Sequence, residues 1–199
     1  PHVDDEVLGC FAFLHPGTHV LYGGVEDRPS TQIRLNEMRA ASERLGFGYS
    51  SIDQPVNSFD AIAMIPAIQQ AIDDHHPRTI LIPEPSYNQD HRAMFEAGMI
   101  ATRPHDTNWR VDEVLLYEQP HAIVWPLHET PNPNVFVPID VDRKLAAYAI
   151  YESQVRGHRS PEVVRALATL RGSQAGVNFA EGYSARRIVR KTVVEEMQT

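Results

Sequence analysis

Cysteine is nearly missing from this chain: Cys10 is the only one in 199 residues, so no internal disulfide can form and a reducing, cytoplasmic setting is the expectation. Basic residues are also scarce. The 18 Lys plus Arg stand against 26 Asp plus Glu, a formal net charge of -8 that repels phosphate backbones and argues against nucleic acid or an anionic membrane surface as partner. Long apolar runs are missing too. The longest, 7–14 and 61–68, fall well short of the roughly 20 residues that a spanning helix needs. No Gly-x-Gly-x-x-Gly turn or phosphate-binding loop occurs, nor any repeat, linker or low-complexity tract. What remains is 42% hydrophobic residues, enough for one substantial core and hence a single domain over 1–199.

Apolar runs recur at Thr18 to Gly24, Gly48 to Asp53, Thr79 to Pro83 and Val111 to Glu118, separated by segments of helical spacing. This alternation predicts an α/β, Rossmann-like domain with a mostly parallel sheet, in the order 3-2-1-4-5, flanked by helices. The first strand of that order is expected to precede Pro1, outside this numbering. Met38, Ala41 and Leu45 mark one helix, with Ser30 or Thr31 as N-cap and Gly46 as terminator. Ile65, Ile68 and Ile72 mark a second, in which Pro66 must sit in the first turn or kink the helix. Ala93 to Arg103 read as a third, which places Asn88 to Arg92 on a strand-to-helix turn. Four prolines between Pro120 and Pro133, with Pro138 after them, predict an ordered loop there. Asp142 to Val155 and Pro161 to Gly172 read as two further helices, the last capped by Ser160.

Against that background two polar strings stand out. Pro1-His2-Val3-Asp4-Asp5-Glu6 lies at the carboxyl end of the expected first strand, and Asn88-Gln89-Asp90-His91-Arg92 follows the strand ending at Pro83. In an open α/β sheet, ligands collect outside the carboxyl ends of the strands, where the strand order reverses. His2, Asp5 and His91 could therefore converge on one divalent ion. Two imidazoles and a carboxylate are the donor set of a hydrolytic zinc site with one open position. Asp4, beside the ligand Asp5, is then free to act as general base. Taken singly, each string is also what a capped polar turn looks like. Among the other histidines, His121 has the best claim, since it closely follows a strand end on the same rim; His75, His76, His105, His128 and His158 read as surface residues.

At this point the sequence resembles the PIG-L/LmbE family of zinc-dependent N-deacetylases, over essentially the whole chain. The resemblance is carried by Pro1 to Glu6 with Leu8-Gly9, by Arg34, Glu37 and Leu45-Gly46, and by Asn88 to Arg92. It continues through Tyr117-Glu118, Pro133-Asn134, Phe136-Val137, Lys144, Tyr151, Ser153-Gln154, Ala180-Glu181 and Tyr183. It implies removal of an N-acyl, commonly acetyl, group from a small N-acetyl sugar or a glycoconjugate. It also implies zinc on His2, Asp5 and His91, Asp4 as base, Arg34 as a substrate contact and Asp90 as the acceptor that orients an imidazole. Fe(II), Mn(II) or Co(II) suit the same donors. Asn88 stands where many relatives carry His; it can donate a hydrogen bond to an oxyanion but supplies no proton. The expected proton return therefore falls to Asp4, with His121 as a second donor. The rival from another class is a non-catalytic Rossmann-like module binding a sugar or nucleotide. A homo-oligomer is compatible with either.

Overall fold

A computed structural model of the chain describes residues 1–25, 31–104, 108–127 and 130–190. Its helices are α1 (Asp5–Cys10), α2 (Thr31–Leu45), α3 (Ala61–His75), α4 (Gln89–Ala101), α5 (Pro120–Val124), α6 (Val141–Tyr148) and α7 (Pro161–Ala175). Its strands are β1 (His19–Tyr22), β2 (Gly48–Ser51), β3 (Thr79–Pro83), β4 (Glu113–Tyr117), β5 (Val135–Pro138) and β6 (Ala180–Ile188).

The α/β class is as expected, but a single parallel sheet in the order 3-2-1-4-5 is not what the described residues form. β1 and β2 pair in parallel as a two-stranded sheet, while β3, β4, β6 and β5 form a second, mixed sheet in that order. β6 runs antiparallel between β4 and β5. The facing edges of β1 and β3 flank a cleft of about 490 Å³, which reaches His2 and Asp5 at one end. At that end the carbonyl of Pro1 accepts the N–H of Gly23, 3.0 Å away, so the first motif is pinned to the carboxyl end of β1.

Local chemistry sets the helix ends. Asp60 Oδ1 accepts the backbone N–H of Ile62 and Ala63 and starts α3; Pro66 sits beyond its first turn, and His76, at φ 48°, closes it. Ser160 caps α7 ahead of Pro161 at its first position, and Asp140 caps α6. Gly46 closes α2 at φ 82° as expected, whereas Ser30 lies outside the described residues. Two readings are corrected. The segment from Pro120 to Pro138 is not loop throughout: it carries α5 and β5, because Pro120 fits a helix start and Val135 to Val137 pair with β6. The helix expected from Asp142 to Val155 ends at Tyr148 and gives way to a short 3₁₀ turn, Glu152–Gln154.

The core lies on both faces of the second sheet's inner strands. Met64, Ile68 and Ile72 from α3 and Met94 and Ala97 from α4 pack on Ile82, Val114 and Leu116, and burying each large side chain contributes about 1.5–3 kcal/mol. On the far side, Leu115 and Tyr117 pack with Cys10 and Tyr183, while Val3, Val7 and Leu8 form a separate cluster with Tyr22, Tyr148 and Tyr151. Two buried ion pairs tie the layers together. Lys144 Nζ donates to Glu181 Oε1 at 2.5 Å and to the carbonyl of Leu8 at 2.8 Å; Arg171 Nε donates to Glu118 Oε2 at 2.8 Å. Gly9 is required where α1 crosses β4, since a Cβ there would stand 2.3 Å from Tyr117 Cδ2. Among the described residues, no helix is long and apolar enough to cross a membrane.

Candidate metal centre

The first motif enters the site through a tight turn. Asp4 takes a left-handed backbone (φ 94°, ψ −23°), a conformation that costs a non-glycine residue about 1–3 kcal/mol and persists only where its surroundings enforce it. Its N–H donates to Glu6 Oε2 at 3.1 Å, and Glu6 Oε1 in turn accepts the hydroxyl of Tyr151. Asp5 then opens α1, with Oδ2 accepting the backbone N–H of His2 at 2.8 Å. The second motif is a helix start rather than a free turn. Asn88 is the N-cap of α4, its Oδ1 accepting the N–H of Asp90 at 2.9 Å and of His91 at 3.4 Å. This cap aims Asp90 and His91 back toward the first motif.

The two motifs meet. One donor atom from each of His2, Asp5 and His91 lies within 4.8 Å of the others. Asp90 Oδ2 lies 2.8 Å from His2 Nε2; a carboxylate only accepts, so the proton sits on Nε2 and the lone pair on Nδ1. That Nδ1 is 3.6 Å from Asp5 Oδ2, and His91 Nε2 is 3.4 Å from the same oxygen. Donor atoms placed 2.0–2.1 Å from a tetrahedral ion stand about 3.4 Å apart, so these separations suit a shared cation. His91 Nδ1, the ring nitrogen turned away from Asp5, is buried without a hydrogen-bond partner. The donor set and its spacing thus fit a divalent metal.

Burial and charge divide the carboxylates. Burial and the neighbouring Asp5 push the Asp4 carboxyl well above its usual range, against the pull of Arg159. Burial also acts upward on Asp5, but the charge of His91 and the bonds from His2 and His91 outweigh it and hold Asp5 well below. Burial brings Glu6 to about 7 despite its Tyr151 bond. Asp90 is lowered: burial raises it, and the bonds from His2, Asn57 N–H and Phe59 N–H more than compensate. His2 is raised, its burial offset by Asp5 and Asp90, whereas burial lowers His91. Burial and His91 bring His121 down to about 4, so its imidazole is neutral at physiological pH.

His121 does join the site. It lies on α5, its ring 4.8 Å from that of His91, with Nε2 3.0 Å from Ser86 Oγ. As a neutral imidazole it can donate a hydrogen bond into the site. Arg34 stands half-buried in the first turn of α2, while Glu37, one turn on, accepts from Ser153 N–H and Oγ. His75 and His76 are exposed; His158 is half-buried, 5.7 Å from the Trp125 ring; His105 and His128 lie outside the described residues. Two residues near the centre, Arg159 and Ser86, escaped the sequence reading, and Tyr151 is named in it without a role. Arg159 Nη1 is 2.9 Å from Asp4 Oδ2, Ser86 holds His121, and Tyr151 holds Glu6. Of these only Tyr151 carried a signal, through the resemblance.

No family model matches the chain, and no curated protein matches its sequence. Solved structures do match. The 4-carboxy-2-hydroxymuconate hydratase GalB from Pseudomonas putida KT2440 superposes with a TM-score of 0.76 at 19% identity, covering 96% of each chain. A deacetylase of teicoplanin biosynthesis gives 0.75 at 18% identity, covering 97% of each chain. The N,N'-diacetylchitobiose deacetylase from Pyrococcus horikoshii gives 0.71 at 18% identity, covering 94% of this chain and 81% of that one. What is shared at such identities is the fold, and it is the fold of LmbE/PIG-L deacetylases that the sequence resemblance implied.

Proposed function

We propose that this protein is a metal-dependent N-deacetylase that hydrolyses the acetamide, or a related N-acyl group, of an amino sugar or glycoconjugate. The observation that carries the reading is the convergence of His2, Asp5 and His91, from two distant strings, with Asp4 beside them. Held by those three residues, zinc, or Fe(II), Mn(II) or Co(II), would supply Lewis acidity toward the acyl oxygen and a water whose pKa is lowered toward ~7.

The chain's own groups supply the rest. Asp90 fixes the His2 tautomer and ring orientation. Asp4 takes a proton from the attacking water as its oxygen bonds to the acyl carbon, and returns that proton to the nitrogen as the C–N bond breaks. The products are acetate and the free amine. Asn88 has committed its Oδ1 to the start of α4, so its amide N–H₂ is the part left to face an oxyanion. The neutral His121 can donate one further hydrogen bond, and Arg34 is assigned to the substrate.

The shared fold also houses a hydratase, so fold alone does not choose the reaction. The deciding assay is acetate release from N-acetylglucosamine and N,N'-diacetylchitobiose, with and without chelator and after zinc is restored. Chelator-sensitive release supports the reading. Absence of release across a panel of N-acyl amines, with water addition to an unsaturated carboxylate instead, would replace it by the hydratase reading. Ligand binding that survives metal removal, with no turnover at all, would favour a binding module.

A further inference from the structure

Arg159 belongs to none of the motifs, yet it is the basic side chain set against the buried Asp4. It ends the 3₁₀ turn Gly157–Arg159, between α6 and α7. Its backbone is fastened: the carbonyl accepts the hydroxyl of the fully buried Tyr148 at 2.9 Å, and its N–H bonds the carbonyl of Arg156 at 3.0 Å. Its guanidinium is fastened as well. Nη2 donates to Gln154 Oε1 at 3.2 Å, and Gln154 is itself buried. With both ends held, Nη1 reaches Asp4 Oδ2 at 2.9 Å, while the side chains are only 14% and 2% exposed. Arg159 Nε and Asp4 Oδ2 are both buried without a hydrogen-bond partner, so the two side chains meet as a close buried ion pair rather than through an aligned hydrogen bond. Asp4 stands at the N-cap of α1, yet its carboxylate makes no capping hydrogen bond that would fix it.

We propose that Arg159 is the positioning residue for Asp4: its clamped guanidinium holds the Oδ2 side of the carboxylate by charge and so presents the other carboxylate oxygen to the water that attacks the substrate. The inference rests on the deacetylase reading above. A base displaced by about 1 Å can cost on the order of 10²-fold in rate, whereas substrate affinity is untouched if Arg159 never meets the substrate.

The test compares zinc-loaded wild type with Arg159→Lys, Arg159→Met, Asp4→Asn and the double variant Asp4→Asn/Arg159→Met, using N,N'-diacetylchitobiose and following acetate. Arg159→Met is expected to lower kcat about 10- to 100-fold with KM within about two-fold, and Arg159→Lys to recover part of that loss. In the Asp4→Asn background the Arg159 change should then have no further effect on kcat, because the group it positions is gone. Should Arg159→Met leave an unpaired carboxylate and fail to fold, Arg159→Lys and the charge-neutral double variant still give the comparison. Variants that melt earlier but keep wild-type kcat and KM would make Arg159 purely structural and overturn the proposal; a raised KM with unchanged kcat would do so by making it a substrate contact. Additive losses in the double variant would overturn it too. If wild type itself releases no acetate, the underlying deacetylase reading has failed and the inference falls with it.

Discussion

Asp90 and His2 come from opposite ends of the first half of the chain, yet Asp90 Oδ2 lies 2.8 Å from His2 Nε2 and fixes which ring nitrogen faces Asp5. The same carboxylate accepts the N–H of Asn57 at 2.7 Å and of Phe59 at 3.3 Å, so one side chain aligns the imidazole and anchors the loop ahead of α3. Asp90→Asn keeps much of that shape but removes the obligate acceptor. Metal affinity is expected to fall about 10- to 100-fold with the fold retained. Competition with a chromogenic chelator, alongside circular dichroism, measures both.

Metal should also be visible as stability. A ligand bound only by the folded state adds about 2.7 kcal/mol at 100 times its Kd, so zinc should raise the melting temperature of wild type by several degrees. In His91→Ala or Asp5→Asn that zinc-dependent increment is expected to vanish. Scanning fluorimetry with and without zinc reads the difference, and an equal increment in the variants would place the ion elsewhere.

The buried pair of Lys144 and Glu181 offers a test of the scaffold. Glu181 accepts from Lys144 Nζ, from the N–H groups of Phe11 and Ala12 and from the hydroxyl of Tyr183. Lys144→Met would leave that carboxylate buried without its cation, at a cost of about 3–5 kcal/mol. Neutralising both partners in Lys144→Met/Glu181→Gln should cost much less. Urea denaturation of wild type, Lys144→Met, Glu181→Gln and the double variant gives the coupling.

Cys10 sets an alkaline limit. Burial, with Glu181 and Glu6 nearby, pushes its thiol well above the usual range of ~8.5. Above that pH the unfolded chain loses a proton that the folded chain keeps, so unfolding is favoured as pH rises, with a slope of at most ~1.4 kcal/mol per pH unit. Between pH 8 and 9.5 wild type should lose stability more steeply than Cys10→Ala. Parallel slopes would show that another group governs the alkaline side.

The site was more legible than the sheet. His2, Asp5 and His91 could be read because each motif sits at a chain reversal and the required donor types are rare in combination. Lys144, Tyr151, Gln154 and Glu181 also entered through the resemblance, and in the structure they are buried polar supports around α1 and the Asp4 turn. β6 escaped because its apolar positions are interrupted by Gly182, Arg186 and Arg187; its strand character comes from pairing with β4 and β5. α5 and β5 were hidden by prolines, whose local signal reads as loop whatever lies beside them.

By itself the sequence determined what acts over a few residues: the caps at Asp60, Asn88 and Ser160, the turn at Gly46, the helical faces of α3 and α4, and the types of donor available to a cation. Tertiary structure alone decided what depends on partners far along the chain. The antiparallel place of β6 between β4 and β5, the tautomer of His2 and the contact of Arg159 with Asp4 are of that kind. The physical reason is range: caps and periodicity are satisfied within one or two turns, whereas buried charge is settled only when packing removes water and leaves a particular neighbour in its place.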